Sequence, residues 1–342
     1  MAYLLGVFMR NSSGQKILTI AIPAYNIEDY IDRAVSNIVA CRALPAIDVI
    51  VVNDGSTDTT ADKAKAYAEK YPESVRVINK CNGHYGSAVN TAINEARGIY
   101  FKILDGDDEY YSDGLDDLLS FLNSSGTADM VLTDYEIVYE ETGNSHLFRQ
   151  QLTPCVTMSF DDSNLQPCAM HSIAFKTSVL KSMRDRLDEG VSFTDVEFVL
   201  YPMGGVSSVS YCDSLVYSYK IGREGQSVDL ACIDKNMPSH ELVLLHCVDW
   251  LERNLTHLTS AKRAYASKRI ARMLDDHVHR CLLSEEPKSW LPGLKTIVSR
   301  CDRCQSVMNY SSSKALKLLR ASGYFTYMPL NALMRRKVGQ MS

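Results

Sequence analysis

Over the N-terminal part of the chain, short β-branched apolar runs alternate with stretches whose apolar positions recur at helical spacing. That alternation predicts βαβ units and a largely parallel sheet. A first strand is expected over residues 17–22. Tyr30, Ile31, Ala34, Val35, Ile38 and Val39 then share one face of a helix over residues 28–41. Further strands are expected over 48–53, 75–79, 99–104 and 130–138, with helices running through Tyr71 and over 86–97 between them. From residue 235 onward only helical periodicity remains, over 235–253, 261–283, 291–310 and 313–322, interrupted by Pro, Ser and Gly. The division that follows is a sheet-based domain over residues 1–228 and a helical region over 229–342. No internal repeat or low-complexity tract is visible.

Composition narrows the class. With 342 residues and 46% hydrophobic content the chain can bury a full core. Its net charge of −5 is unevenly spread. No Asp or Glu follows Asp302, whereas Arg303, Lys314, Lys317, Arg320, Arg335, Arg336 and Lys337 do. An acidic body argues against general nucleic-acid binding, and a basic end suits either solvent or an anionic surface. The ten cysteines are scattered through a chain far larger than a disulfide-stapled module, so reduced, mostly buried thiols are expected. Cys301 and Cys304 have Cys-x-x-Cys spacing with His277 and His279 upstream, but on a helix a spacing of three puts both thiols on one face without any metal. The apolar opening over residues 1–8 is too short to span a bilayer, and a cytoplasmic protein is expected.

In open parallel sheets ligands collect at the carboxyl ends of the strands, and the polar clusters fall there. The first strand leads into Pro23-Ala24-Tyr25-Asn26, the second into Asn53-Asp54-Gly55-Ser56-Thr57-Asp58 and the fourth into Asp105-Gly106-Asp107-Asp108. Acids so placed cannot bind a diphosphate directly, because like charges repel. A divalent cation between them turns repulsion into attraction, and hard oxygen ligands suit Mg2+ or Mn2+. Asp-Gly is also an ordinary tight turn after a strand.

Together with Asn82-Gly83-His84-Tyr85-Gly86-Ser87-Ala88-Val89-Asn90, these segments resemble the donor-binding half of family 2 glycosyltransferases in order and spacing over residues 16–135. The resemblance implies an α/β nucleotide-diphosphosugar transferase (type A) fold with helices flanking the sheet. It further implies a nucleotide-sugar donor, a UDP-sugar being expected, and Mn2+ or Mg2+. On this resemblance Pro23, Tyr25 and Asp54 contact the base and ribose, with Asp54 hydrogen-bonding a uracil ring, and Asn26 and Ser56 are further candidates for donor binding. Asp105 reaches the ribose or sugar, and Asp107 with Asp108 beside it holds the metal. Gly83 and Gly86 let backbone come close to a ligand, with Asn82 beside them as a further donor-site candidate, and the helix starting near Ser87 aims its amides at an anion. The family often carries Ala-Arg-Asn where this chain has Ala88-Val89-Asn90, which removes one phosphate contact. Lys80 and His84 border the same pocket and are expected to face solvent.

Residues 136–228 would form the acceptor half. Ser192-Phe193-Thr194-Asp195 resembles the segment where the family has Glu-Asp, so Asp195 inherits the role of base and Thr194 marks a lost acid. The structural alternative is a helix start, with Thr194 as cap and Asp195 and Glu197 complementing the dipole. His171 is a candidate on the acceptor side, and Arg223, in a Gly-rich segment, a candidate for the pyrophosphate. The reaction implied is an inverting transfer to a hydroxyl of a glycan or lipid-linked acceptor in envelope polysaccharide synthesis. A non-catalytic nucleotide-sugar binder is the alternative. A sugar nucleotidyltransferase fits less well, lacking a Gly-rich Arg loop after the first strand, and a dehydrogenase lacks Gly-x-Gly-x-x-Gly. Aromatic and basic residues near the C-terminus suit either peripheral contact with the inner face of a membrane or packing of the aromatics on the catalytic domain.

Overall fold

The structure, a computed structural model, describes residues 15–124, 128–222 and 233–338. The chain forms two compact units, Met1–Gly222 and Arg223–Ser342.

The first unit opens with β1 (Leu18–Ala24), α1 (Ile31–Val39), β2 (Ile47–Asp54), α2 (Thr60–Lys70), β3 (Val75–Lys80), α3 (His84–Glu95) and β4 (Tyr100–Ile103). It continues through β5 (Glu109–Tyr110), α4 (Ser112–Ser124), β6 (Met130–Tyr139), β7 (Ser145–Phe148), β8 (Met158–Ser159), β9 (Ile173–Lys176), α5 (Thr177–Lys181), α6 (Asp195–Leu200) and β10 (Ser208–Ile221). The strands form one sheet in the order β3-β2-β1-β4-β9-β6-β10-β5, with β7 on β6 and β8 on β10.

Four adjacent strands, β3-β2-β1-β4, form a continuous parallel run, where each helix crossover returns the chain in the same direction. β9 enters antiparallel between β4 and β6, and β10 runs parallel to β6. β2, in the middle of the parallel run, is buried along its whole length, and its near-continuous apolar run matches a strand covered on both faces. Ile31, Ala34, Val35 and Ile38 of α1 join Leu115, Leu118, Leu119 and Leu122 of α4 in one apolar cluster with β1 and β2.

Two details of this frame position the site. Because β1, β2, β3 and β4 are parallel, their carboxyl ends lie along one edge. β9, running the other way, brings the residues just before Ile173 to that same edge. In β10 the register shifts between Tyr211 and Leu215 and again between Leu215 and Tyr217. Such irregularities re-aim the side chains beyond them, here Tyr217 and Tyr219.

The second unit is helical: α7 (Ile233–Asn254), α8 (Ser260–Leu283), α9 (Pro287–Arg303), α10 (Gln305–Tyr310), α11 (Lys314–Ala321) and α12 (Tyr327–Val338). The continuous helix expected over 291–310 is broken at Cys304, whose ψ of 67° leaves the helical region. Pro287 begins α9, where its missing N–H costs nothing. Cys301 and Cys304 are buried free thiols, and burial pushes Cys301 up to about 12. Among the described residues no metal-competent group includes either thiol, so their spacing reflects a buried helical face. No described helix is long and apolar enough to cross a membrane.

Candidate functional site

The loops after β1 and β2 are fastened together by their own polar groups. Asn26, held at a φ of 50° that Asn tolerates, donates its N–H to Ser56 Oγ at 3.1 Å, while its Oδ1 accepts the Thr57 N–H at 2.9 Å. The Ile27 N–H donates to Thr60 Oγ1, and the Glu28 N–H to Asp58 Oδ2. Asn26 and Ser56 therefore spend these groups on the scaffold, leaving Tyr25 at the rim, 52% exposed. Pro23, half-buried, turns its carbonyl toward the acidic turn. A Cβ on Gly106 would stand 3.0 Å from that oxygen and 2.3 Å from Ile27 Cδ1, so glycine lets the acidic turn sit against the β1 loop.

At the end of β2, Asp54 is 2% exposed. Its carboxylate accepts from Lys80 Nζ at 2.6 Å and from the Gly83 N–H at 3.0 and 3.2 Å. Lys80 is thus half-buried in an ion pair rather than solvated as expected, because an unpaired Asp54 at this depth would be costly. His84 is exposed, and Asn82 accepts its N–H at 3.2 Å. The helix begins at His84, earlier than expected, and the amide at its entry, that of Gly83, meets Asp54. Gly86 packs directly on main chain: a Cβ there would lie 2.0 Å from the Asp188 carbonyl oxygen. Asn90 clamps the same segment through Leu187, donating to its carbonyl at 2.9 Å and accepting its N–H at 3.1 Å.

The acidic turn after β4 is the electrostatic centre. Asp105 accepts from the Tyr85 hydroxyl at 2.8 Å. Asp108, fully buried, accepts from the Tyr217 hydroxyl at 2.7 Å and from the Lys220 N–H at 2.8 Å. The Tyr217 oxygen in turn accepts the Asp105 N–H at 3.2 Å. Asp107 is half-buried, and its carbonyl accepts from Arg33 Nη2 at 2.7 Å. Burial, reinforced by the charge of Asp107, raises Asp105 to about 7. Burial and the neighbouring acids drive Asp108 up as well. Crowded carboxyls held above their usual range are what a divalent cation relieves.

His171, placed on the acceptor side from sequence, comes to this centre. Its ring stacks on Tyr219 with centroids 4.3 Å apart and leans on Tyr217 at 4.7 Å. Asp105, Asp108 and His171 each bring a ligand atom to within 4.8 Å of the others. Two carboxylate oxygens and an imidazole nitrogen fit Mn2+ or Mg2+, the imidazole favouring Mn2+. Asp107 is outside this trio. The fully buried Lys102 supports it from below, donating to the His171 carbonyl at 2.6 Å, and burial lowers its ammonium to about 7.

Asp195 opens α6 and is half-buried, and its charge is felt at both Asp105 and Tyr85. Thr194 does not act as a side-chain cap; its buried hydroxyl lies against α3, 3.2 Å from where a Gly86 Cβ would stand. Phe193 before it has a φ of 69°, a strained value for an aromatic residue. Glu197 does not merely complement a dipole. It is fully buried, accepting the Asp188 N–H and the Tyr201 hydroxyl, each at 2.8 Å, and burial raises it to about 8. Arg223 lies outside the described residues.

The structure therefore brings Asp105, Asp107, Asp108, His171 and Asp195 to one region and places Pro23, Tyr25, Asn26, Asp54, Ser56, Asn82, Gly83 and Gly86 on the same sheet edge or the loops leaving it. Tyr85, Lys102, Tyr217 and Tyr219 are additions. Tyr85 stands inside the segment that carries the resemblance, but the others have no motif around them.

The family model described as Glycosyl transferase family 2 matches residues 19–189. The glycosyltransferase EpsJ of Bacillus subtilis (strain 168) is 38% identical over 92 residues, covering 27% of this chain and 26% of that protein. The minor teichoic acid biosynthesis protein GgaB of the same organism is 26% identical over 241 residues, covering 69% of this chain and 26% of its own length. These matches therefore span about a quarter of those relatives. S. aureus TarS 1–349, solved in complex with UDP-GlcNAc, superposes with a TM-score of 0.69 at 20% identity, covering 94% of this chain and 92% of that one. TarS thus shares the fold, α/β with flanking helices and a helical C-terminal part. From the family match over β1 through the 187–189 segment, the chain belongs to glycosyl transferase family 2.

Proposed function

We propose that the protein transfers a sugar from a nucleotide diphosphate donor, a UDP-sugar, to an acceptor hydroxyl with inversion at the anomeric carbon. The observation that carries this reading is the gathering of Asp105, Asp107, Asp108 and Asp195 beside the edge where Asp54 ends β2. Acids of the first three positions match a diphosphate held through a divalent cation, and Asp195 supplies a separate carboxylate for the acceptor proton.

In this reading Asp54, oriented by Lys80 and Gly83, and Tyr25 at the rim take the nucleotide. Asp107 and Asp108, with Asp105 and His171 joining them, would hold Mn2+ or Mg2+. Bound there, the cation supplies positive charge against the diphosphate and its departure. Asp195 removes the acceptor proton as the acceptor oxygen attacks. Arg223 is assigned to the pyrophosphate. TarS with UDP-GlcNAc supports the donor class, and GgaB, a minor teichoic acid biosynthesis protein, supports a place in envelope polysaccharide synthesis. To this reading we add a glycan or lipid-linked acceptor reached from the cytoplasmic side.

A thermal-shift panel of UDP, GDP and UDP-sugars with and without Mn2+ tests the reading. The expected result is stabilisation by UDP that requires metal. No shift with any nucleotide would overturn it. Thr194 in place of an acid keeps a second reading, a binder without turnover, and release of UDP from a UDP-sugar in the presence of Mn2+ separates the two.

A further inference from the structure

α12 is built inside out. An amphipathic helix on a protein surface normally buries its apolar face and shows its polar one. Here the inward positions are Tyr327, whose hydroxyl donates to the Pro287 carbonyl at 2.9 Å and the Cys281 carbonyl at 3.1 Å, and Asn331, whose amide donates to the Leu282 and Ser284 carbonyls at 3.0 Å. Polar side chains thus fasten α12 to the end of α8. Met328, Pro329, Ala332 and Leu333 are exposed.

The turn before α12 extends the same surface. Gly323 and Tyr324 both have left-handed backbone, φ 58° and 69°, which Gly accepts readily and Tyr does not. The turn is closed by the Tyr324 N–H on the Leu319 carbonyl at 2.7 Å. Its consequence is Phe325, 90% exposed, the most outward of the exposed large apolar residues described. Leu318 of α11 is exposed too, at one helical turn from Lys314.

Charge completes the pattern. Lys314 and Lys317 of α11 and Arg336 and Lys337 of α12 are exposed on the same two helices, and no acid occurs in the sequence after Asp302. Arg320 and Arg335 pair with Asp302 and Glu285. Exposed apolar side chains that share helices with exposed cations match a layer with an apolar interior and an anionic surface. They do not match water, and a second copy of the same patch would set cation against cation.

We propose that the outward face of α11, the 322–326 turn and α12 docks on an anionic lipid surface, with Phe325, Met328 and Leu333 entering the interface. The docking holds the protein at a membrane without spanning it. It goes beyond the transfer reaction and does not depend on it.

The test is flotation of the full chain, without donor or metal, on vesicles of phosphatidylcholine alone or mixed with phosphatidylglycerol. Binding to the mixed vesicles that is weakened by salt is expected. It should fall at least about tenfold in Phe325→Ser/Leu333→Ser and again in Arg336→Glu/Lys337→Glu. These side chains are exposed, and an unchanged melting temperature will show that the variants fold. Absence of binding to the mixed vesicles, equal binding to phosphatidylcholine alone, or full binding by folded variants would overturn the proposal. So would concentration-dependent self-association abolished by Phe325→Ser, since a second copy would then cover the face.

Discussion

The hydroxyl of Tyr217 donates to Oδ2 of Asp108 at 2.7 Å. Because the Tyr217 hydroxyl oxygen also accepts the Asp105 N–H, one phenol sets the spacing of two acids that the turn alone would leave adjustable. Tyr217→Phe removes the donor and leaves a buried carboxyl with less support for its charge, so proton and cation compete on worse terms for the cation. Apparent Mn2+ affinity should fall about tenfold at neutral pH, the effect of losing ~1–2 kcal/mol, with a smaller change in melting temperature. Titration of metal-dependent UDP binding reads it, and an unchanged midpoint would show that Tyr217 does not condition the acids.

Asp107 and Asp195 should separate binding from chemistry. Asp107→Ala is expected to abolish both transfer and metal-dependent UDP binding. Asp195→Ala should keep UDP binding and lower kcat at least about 100-fold, as loss of a general base does. Parallel isothermal titration and turnover measurements decide it. Normal turnover in the Asp195 variant would take the base role away from that residue.

The extent to which sequence anticipates this site depends on how local each signal is. The ends of β1, β2 and β4 are legible because a polar cluster interrupts an apolar run at each, and a parallel sheet gathers those ends on one edge. α4 is not among the expected elements, although Leu115, Leu118, Leu119 and Leu122 carry helical spacing, since Gly114 and the acids around it resemble a turn. The meeting of His171 with Asp105 and Asp108 depends on β9 entering antiparallel, and nothing local in residues 170–176 encodes a strand's direction. Tyr217 reaches Asp108 across 109 residues, aimed by a register shift that leaves no sequence pattern. Asn26 and Ser56 show the opposite error of scale: polar groups in a ligand motif that also hold two loops together.

Glu197 gives the stability a defined pH dependence. Its carboxyl is raised from 4.5 to about 8 in the folded protein, chiefly by burial. Between those values the folded state keeps a proton that the unfolded chain has released, so stability falls as pH rises through this window and levels off above it. Thermal melts from acid to mildly alkaline pH should show the decline in the wild type. Glu197→Gln, which cannot ionise, should lose that component of the slope. Parallel curves for the two proteins would mean that Glu197 is charged in the folded state.

Gly86 carries the last expectation, because its neighbour is main chain rather than a movable side chain. An added Cβ would stand 2.0 Å from the Asp188 oxygen, and Asp188 is itself held by Glu197 through its N–H. Gly86→Ala must therefore push α3 away from the segment leading to Asp195, at a cost of ~1–3 kcal/mol or more for overpacking. A lower melting temperature and lower kcat are both expected. Gly204→Ala is the matched control, since a Cβ added there would meet no described atom within 4 Å and its φ is not left-handed. If Gly86→Ala melted and turned over like Gly204→Ala, α3 could not be packed on the Asp188 carbonyl, and the link between the donor-side helix and Asp195 would be lost.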